Sequence, residues 1–589
     1  MQKALFSLFI LHFVFYVAQA QTPQVNETKG FYQFLTDDPN QKPFFSDKKG
    51  VIAQNGMVAS AHPEASRVGV EIMKAGGNAA DATVAVKFAL AVVHPSAGNI
   101  GGGGFFVYRT AQGENYTLDF REKAPLKGDK DMYLDAEGKV VAGLSMTGHL
   151  ASGVPGSVDG MVEIHKKFGK LPWATLLQPA IDLAEKGHIL TEKEARGLNS
   201  VKPTVQRLNP NTPYFARADG QDWKAGDVFV QTDLGQILHL IQKRGRAGFY
   251  KGKTAKLLVA EMERGKGIIS RKDLRKYHST WRQPLVGTYK DFKIITMPPV
   301  SSGGVALLQL MKFVEPYPLK RWGWNTDSTV QVMIEAERRV YADRAKFLGD
   351  PDFVKVPVQE LTDAAYLKAR WSSFDFNKAT DSKTLQGGTI AGYESTETTH
   401  FSIVDKEGNA VSVTTTLNGG YGSRVVVAGA GFLMNNEMDD FSIKAGVPNM
   451  FGLIGNKANA IAPGKRMLSS MTPTIIEQNG KLHSVVGTPG GSTIITSVFQ
   501  TVLNVLEHGM SMQEAVNALK FHHQWLPDKT VFESGGFTEN TIKKLQMRGY
   551  LLEMQKNTIG RMDCILVRPD GMLEGGSDPR GDDTSVGYE

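Results

Sequence analysis

The 589-residue chain is 41% apolar and 22% charged, a globular balance that excludes disorder or low complexity as a description of the whole. Its formal net charge is +7, yet no run of five basic residues occurs, so nucleic-acid binding lacks the concentrated Lys/Arg that phosphates require. A single cysteine, Cys564, excludes an intramolecular disulfide, a CxxC redox pair and a cysteine-rich zinc site.

In chain order, Met1-Gln2-Lys3 gives a positive start and Ala4 to Ala18 is apolar apart from Ser7 and His12. Ala18-Gln19-Ala20 then supplies a small-x-small cleavage site, which together predicts a secretory signal over 1–20. An uncleaved anchor would need about 20 apolar residues. No cysteine follows for a lipid anchor, and the later apolar stretch Ala79–Val93 carries Asp81 and Lys87. The expectation is an exported protein, periplasmic or secreted, with no stable membrane span after signal cleavage. Residues 21–50, with Pro23, Pro39 and Pro43, read as an extended segment.

From 51 to about 380 apolar helical patterns alternate with short strands. Asn78 caps a predicted helix through Val93, with Asp81 suited to its positive end. Ile100-Gly-Gly-Gly-Gly104 enters a strand at Phe105–Tyr108, and is no dinucleotide fingerprint because no helix follows the glycines. Further helices are predicted at 64–75, 157–168, 174–186, 232–243, 303–314 and 328–345. The polar stretch 375–397 reads as an exposed linker. Three hairpins follow, at 401–413 around Glu407, at 474–486 around Asn479-Gly480, and at 562–574 around Pro569-Asp-Gly571. No internal repeat is found.

Two constellations carry chemistry. Thr398 and Thr416 are equidistant from Glu407, so an antiparallel pair centred there sets them opposite each other with Cβ atoms about 4.5–5.5 Å apart. One hydroxyl could orient the other, although a run such as Thr414-Thr415-Thr416 is more often sheet surface than active site. Gly487-Thr-Pro-Gly-Gly-Ser492 joins a strand to a helix in which Ile495, Val498, Val502 and Val505 share a face. Unobstructed N–H groups there suit an oxyanion hole; a phosphate loop would need the missing Gly-Lys-Ser/Thr ending, and a plain tight turn is the structural alternative. His400, His522 and His523 lack HExxH spacing and read as packing or hydrogen-bonding residues. Asn26-Glu-Thr28 and Asn115-Tyr-Thr117 are formal glycosylation sequons.

Several segments, in this order, resemble one family: Gly76-Gly-Asn-Ala-Ala-Asp81, Asp119-Phe-Arg-Glu122, Pro298-Pro-Val-Ser-Ser-Gly-Gly304, Thr398-Thr-His400, Asn435-Asn-Glu-Met-Asp-Asp-Phe441, Leu468-Ser-Ser-Met471, Gly487-Thr-Pro-Gly-Gly491 and Phe521-His-His-Gln-Trp525. From about residue 50 onward the chain resembles the gamma-glutamyltransferase (gamma-glutamyltranspeptidase) family of N-terminal nucleophile hydrolases. The resemblance implies an α/β (α+β) fold, a four-layer αββα sandwich formed jointly by a large subunit, 51–397, and a small one, 398–589. It places a self-cleavage between Glu397 and Thr398, which frees the α-amine of Thr398 to act as base for its own hydroxyl.

The remaining roles come from the same likeness. Thr416 would assist the nucleophile, and Gly490 and Gly491 would supply the oxyanion donors. Arg121, with Ser469 and Ser470, would bind the α-carboxylate of a γ-glutamyl group, and Asp440, Glu437 and Asn418 its α-ammonium. Position 437 is Gln in some relatives. Ala445 to Gly452 would form a lid, with Phe451 where some members have Tyr. The implied donors are glutathione and other γ-glutamyl compounds, and the acceptors are water, amino acids or peptides. No metal or organic cofactor is required. A cephalosporin or glutaryl acylase is the sibling alternative, weakened by the intact Asp440 and Glu437. A non-catalytic exported binding protein is the other, weakened by the intact Thr398, Thr416 and glycines.

Overall fold

The computed structural model describes residues 44–210, 213–385, 398–444, 446–447, 449–450, 452–453, 457–555 and 558–589. The expected signal, most of the 21–50 segment, Glu397 and Phe451 lie outside them.

Two seven-stranded sheets form the centre. The first runs Thr584–Tyr588, Gly56–Ser60, Thr399–Val404, Ala410–Thr416, Gly103–Arg109, Asn115–Asp119, Thr280–Arg282. The second runs Val51–Ala53, Leu573–Ser577, Asp563–Val567, Lys481–Val486, Thr474–Gln478, Phe292–Thr296, Leu285–Tyr289. Each takes strands from both sides of residue 398, so neither half of the chain could complete a sheet by itself. The pairings are antiparallel, and the Asn479-Gly480 turn has both residues at positive φ, 53° and 76°, the backbone hand that matches strand twist.

The period of two in the strands sorts their side chains. Phe401, Ile403, Val411 and Val413 pack outward against helices Pro63–Lys74, Ala79–Val93, Ser157–Phe168 and Trp173–Lys186. Val404, Ala410, Phe105 and Val107 share a core with the second sheet and the helices beyond it, Gly303–Val314, Asp327–Phe347 and Thr493–Leu506. The result is the four-layer αββα sandwich, helix on sheet on sheet on helix.

The predicted helices fall within one or two residues of the observed ones. Ala79–Val93 starts with a capping box, Asn78 and Asp81 each bonding the other's backbone, and is buried at every position. Of the 375–397 stretch, residues 375–385 are described and are mostly exposed, as expected of a linker, with Ser382 and Leu385 buried. Ser382 is fully buried, its N–H donating to Asp528 Oδ2 at 2.8 Å and its carbonyl accepting from Trp525 Nε1 at 2.9 Å. A polar composition does not reveal such tethering, because it rests on partners more than 140 residues away. Among the described residues no helix is long and apolar enough to cross a membrane.

Candidate active site

The site begins at the open end of the Thr399–Val404/Ala410–Thr416 hairpin. Thr399 pairs with Thr415, so Thr398 and Thr416 are the next residues outward. Their hydroxyl oxygens lie 3.4 Å apart, and both residues are buried. That is longer than the usual O–H···O separation of about 2.7–2.8 Å; contacts of this kind often tighten only when substrate is bound.

Thr416 is held from two sides. Its Oγ1 accepts the Asn418 N–H at 2.7 Å, with Asn418 at φ 75°, and its carbonyl accepts from Asn99 Nδ2 at 2.9 Å. Asn99 Oδ1 in turn accepts from the Gly102 N–H at 3.0 Å and from Ser157 Oγ at 2.7 Å. Buried Lys87 donates to the Asn99 carbonyl at 2.5 Å, and burial pushes its ammonium down to about 7. Sequence reading misses the part that Asn99 and Lys87 play. A lysine inside an otherwise apolar helix was the available signal, since so costly a group is buried only where it has something to hold.

His400 lies two residues inside the hairpin. Its Nδ1 is 2.9 Å from Thr414 Oγ1 and its Nε2 is 3.1 Å from Ser402 Oγ. Burial pushes the imidazole down to about 3, so it stays neutral and orients hydroxyls. His522 bonds Thr496 and Gln524, and His523 bonds the Lys529 carbonyl, so all three histidines have the local hydrogen-bonding roles expected of them.

The glycine turn passes directly over this ladder. A Cβ on Gly487 would sit 2.1 Å from the His400 ring, so only glycine allows the approach. Gly490 and Gly491 take φ 138° and 56°, which a β-carbon disfavours, and a Cβ on Gly490 would meet Thr493 Oγ1 at 2.5 Å. The Gly490 carbonyl is turned into the helix, accepting the Thr493 N–H at 3.0 Å and hydroxyl at 2.8 Å. Among the described residues no acceptor takes the Gly490 or Gly491 N–H. Two adjacent buried donors without acceptors at a helix N-terminus suit an anionic oxygen.

The charged end is assembled around Arg121, which is 1% exposed. Its Nη1 bonds Glu437, its Nη2 bonds Asp440 Oδ2 at 2.5 Å, and Glu122 lies 3.9 Å away. Carbonyls of Met467 and Leu468 accept from Nε at 3.4 Å and Nη2 at 3.3 Å. Burial outweighs Arg121 at all three carboxyls: Glu437 is pushed well above the carboxylate range, Glu122 to about 7 and Asp440 to about 6. The short helical turn Glu437–Asp440 is set by its two preceding asparagines. Asn435 Oδ1 accepts the Glu437 N–H at 3.0 Å and its Nδ2 donates to the Gly101 and Gly153 carbonyls at 2.8 Å each. The Asn436 carbonyl accepts from Asn418 Nδ2 at 3.0 Å, joining this turn to the threonine pair. Asn449 Nδ2 reaches Asp440 Oδ1 at 3.0 Å and the Met450 N–H reaches Asp439 Oδ2 at 2.8 Å, so these two residues of the expected lid rest on the carboxylates. Ser469 Oγ accepts the Met471 N–H at 3.1 Å, and Ser470 Oγ accepts from Arg344 Nη2 at 3.1 Å, a residue the sequence did not single out.

A buried hydroxyl at the head of a central strand, facing the gap of an αββα sandwich, defines the N-terminal nucleophile hydrolase class. The gamma-glutamyltranspeptidase family model matches residues 65–588, and the chain belongs to that family. A glutathione hydrolase proenzyme of Escherichia coli (strain K12) is 46% identical over 539 residues, covering 91% of this chain and 93% of its own length. Another, from Pseudomonas sp. (strain A14), is 47% identical over 497 residues, covering 84% and 86%. Among solved structures, the Helicobacter pylori gamma-glutamyltranspeptidase matches with a TM-score of 0.55 at 43% identity, covering 58% of this chain and 97% of its own. A cephalosporin acylase from Bacillus halodurans matches with a TM-score of 0.79 at 26% identity, covering 94% and 100%.

Proposed function

We propose that the chain is an exported, self-processing gamma-glutamyltransferase with glutathione hydrolase activity, and that Thr398 is its nucleophile. The single observation that carries the reading is the Thr398–Thr416 hydroxyl pair at the head of the central hairpin, 3.4 Å apart. In the precursor, Thr398 Oγ1 attacks the carbonyl carbon of Glu397; the C–N bond breaks, an ester forms, and water hydrolyses it to the Glu397 carboxylate and a free Thr398 amine. The chain then comprises 51–397, with whatever precedes it after signal removal, and 398–589.

The new amine, with an ordinary pKa of about 7.7–8.0, takes the Thr398 hydroxyl proton as Oγ1 attacks the γ-carbonyl of the donor. Gly490 and Gly491 N–H groups stabilise the oxyanion. The amine passes its proton to the leaving amine, and a γ-glutamyl ester of Thr398 remains. Water, or the amine of an amino acid or peptide, then attacks that ester. At the other end of the donor, the α-ammonium takes over Glu437 and Asp440 with Asn418 beside them, and the α-carboxylate takes over Arg121 with Ser469 and Ser470. The contacts that Arg121 makes with Glu437 and Asp440 thus become the two halves of a zwitterion site.

Purified protein assayed with γ-glutamyl-p-nitroanilide, with and without a dipeptide acceptor, tests this beside Thr398→Ala. The wild type is expected to run as two fragments, the smaller starting Thr-Thr-His-Phe, and the variant as one inactive band. An uncut but active variant would remove Thr398 from the mechanism. Glutaryl-p-nitroanilide as the preferred donor would instead favour the acylase reading.

A further inference from the structure

Helix Asp327–Phe347 buries six charged residues from its middle onward: Glu335, Glu337, Arg338, Arg339, Asp343 and Arg344. Most of these charges are matched. Arg338 and Arg339 pair with Glu335, and Asp343 pairs with Arg370 at 3.0 Å. Arg344 differs. It is 5% exposed and has no carboxylate within ion-pair distance among the described residues. Its hydrogen bonds there go to two hydroxyls, Nε to Ser302 Oγ at 2.9 Å and Nη2 to Ser470 Oγ at 3.1 Å. Burial pushes it down only to about 10, so it remains a cation at neutral pH. Removing an arginine from water with only a carboxylate beyond ion-pair distance, Asp440, acting on it is expensive, so an anion brought beside it would be favoured.

The two hydroxyls indicate where. Ser302 passes the contact on, its Oγ donating to the Ser469 carbonyl at 2.5 Å and its N–H to the same oxygen at 2.8 Å. Segment Met467–Ser470 is therefore strung between two guanidiniums. Arg121 holds the carbonyls of Met467 and Leu468; Arg344 holds the Ser470 hydroxyl directly and the Ser469 carbonyl through Ser302. Because Ser470 Oγ accepts from Arg344, its own proton is the one it has to give.

We propose that Arg344 is a positioning residue of the α-carboxylate subsite: it aims and polarises the Ser470 hydroxyl and supplies positive charge that Arg121, bound to Glu437 and Asp440, supplies only in part. The proposal rests on the γ-glutamyl reading above and extends it to a residue to which the resemblance gave no role.

Three p-nitroanilides separate the parts of the donor. The γ-glutamyl compound carries carboxylate and ammonium, the glutaryl compound only the carboxylate, and the 4-aminobutyryl compound only the ammonium. Arg344→Gln is expected to lower kcat/KM about 10- to 100-fold on the first two, the range of a hydrogen bond to a charged group. Most of that loss should fall in KM, and the third donor should change less than about twofold. The loss should be shared with Ser470→Ala, so that the double variant is no worse than the more damaged single one, as for residues acting as one unit. Arg344→Lys keeps the charge and should recover part of the loss; it also decides the matter if the Gln variant fails to process. Equal losses on all three donors, or full additivity with Ser470→Ala, would overturn the proposal. Wild-type protein inactive on every γ-glutamyl donor would sink the functional reading instead.

Discussion

The two ends of the site are built from opposite materials. Around Thr398 the groups at hand are neutral: hydroxyls of Thr398, Thr414 and Thr416, a His400 held uncharged by burial, and backbone N–H groups of the glycine turn, with an ionisable side chain, Lys87, set behind Asn99. Around Arg121, four or more ionisable groups share one buried space. On the proposed mechanism the neutral end is inactive toward donors until the Glu397–Thr398 bond is cut, because its base does not exist before then; its parts can wait buried at little electrostatic cost. The charged end must hold its ions from the moment of folding, so it neutralises them against one another until a zwitterion replaces the pairs. Changes at the first end should therefore appear in kcat and in self-processing, and changes at the second in KM and in its dependence on donor charge.

The largest test of that division, after loss of Thr398 itself, is Gly490→Ala. The added methyl meets Thr493 Oγ1 at 2.5 Å and the backbone sits at φ 138°, so the N–H must turn. Loss of one oxyanion donor lowers kcat about 10²–10³-fold, and processing should slow as well, since the same turn would serve both reactions. A variant with kcat within twofold of wild type would show that these donors do not face the reacting oxygen.

Asp440→Asn comes next. It deletes the proposed ammonium partner and leaves Arg121 with Glu437 and the more distant Glu122. Breaking one side of a buried ion pair costs about 3–5 kcal/mol, part of it in stability, so Tm should fall together with affinity. Donor kcat/KM should drop about 100-fold, with KM carrying most of it, the equivalent of roughly 2.7 kcal/mol. A drop confined to kcat would erase the proposed division. Thr416→Val should be milder. It keeps the shape but removes the hydroxyl contact to Thr398 and the acceptor of the buried Asn418 N–H, about 1–3 kcal/mol, so kcat should fall near tenfold and Tm should drop slightly.

How much of this could be read in the chain differs between the same two regions. The neutral end follows from local rules: hairpin register gives the threonine pair, and a glycine-rich strand-to-helix junction gives the turn. Helices with strong apolar period were equally legible. Glu192–Leu208 was not, although Thr191 and Glu194 form a capping box, because Pro203 interrupts a mostly polar pattern. The charged end is a long-range assembly of Arg121, the 437–440 turn and Ser469-Ser470, and only family likeness brought those together. Arg344 escaped because a helix dense with charges reads as a solvated face, whereas here that face lies between a sheet-bound core and the site. Asn99 escaped because asparagine in a glycine-rich loop reads as turn chemistry.

The smallest effect expected is the most diagnostic, because it separates the two ends by proton count. Kcat/KM reports ionisations of the free enzyme. The Thr398 amine must be neutral to act as base, so the rate should rise about tenfold per pH unit up to roughly pH 8. Asp440 must be a carboxylate to hold the ammonium, and burial has pushed it up to about 6. Below that pH a γ-glutamyl donor should lose a second proton-dependent factor, and the slope should approach about two. Glu122, pushed up to about 7 and close to Arg121, titrates in the same cluster, so the apparent value belongs to the group. A glutaryl donor has no ammonium to lose. Protonating Asp440 removes a competitor for Arg121, so for that donor the slope should stay near one or flatten. Asp440→Asn should make the γ-glutamyl profile resemble the glutaryl one. Identical acid limbs for both donors in the wild type would mean that Asp440 does not meet the α-ammonium, whatever its distance from Arg121.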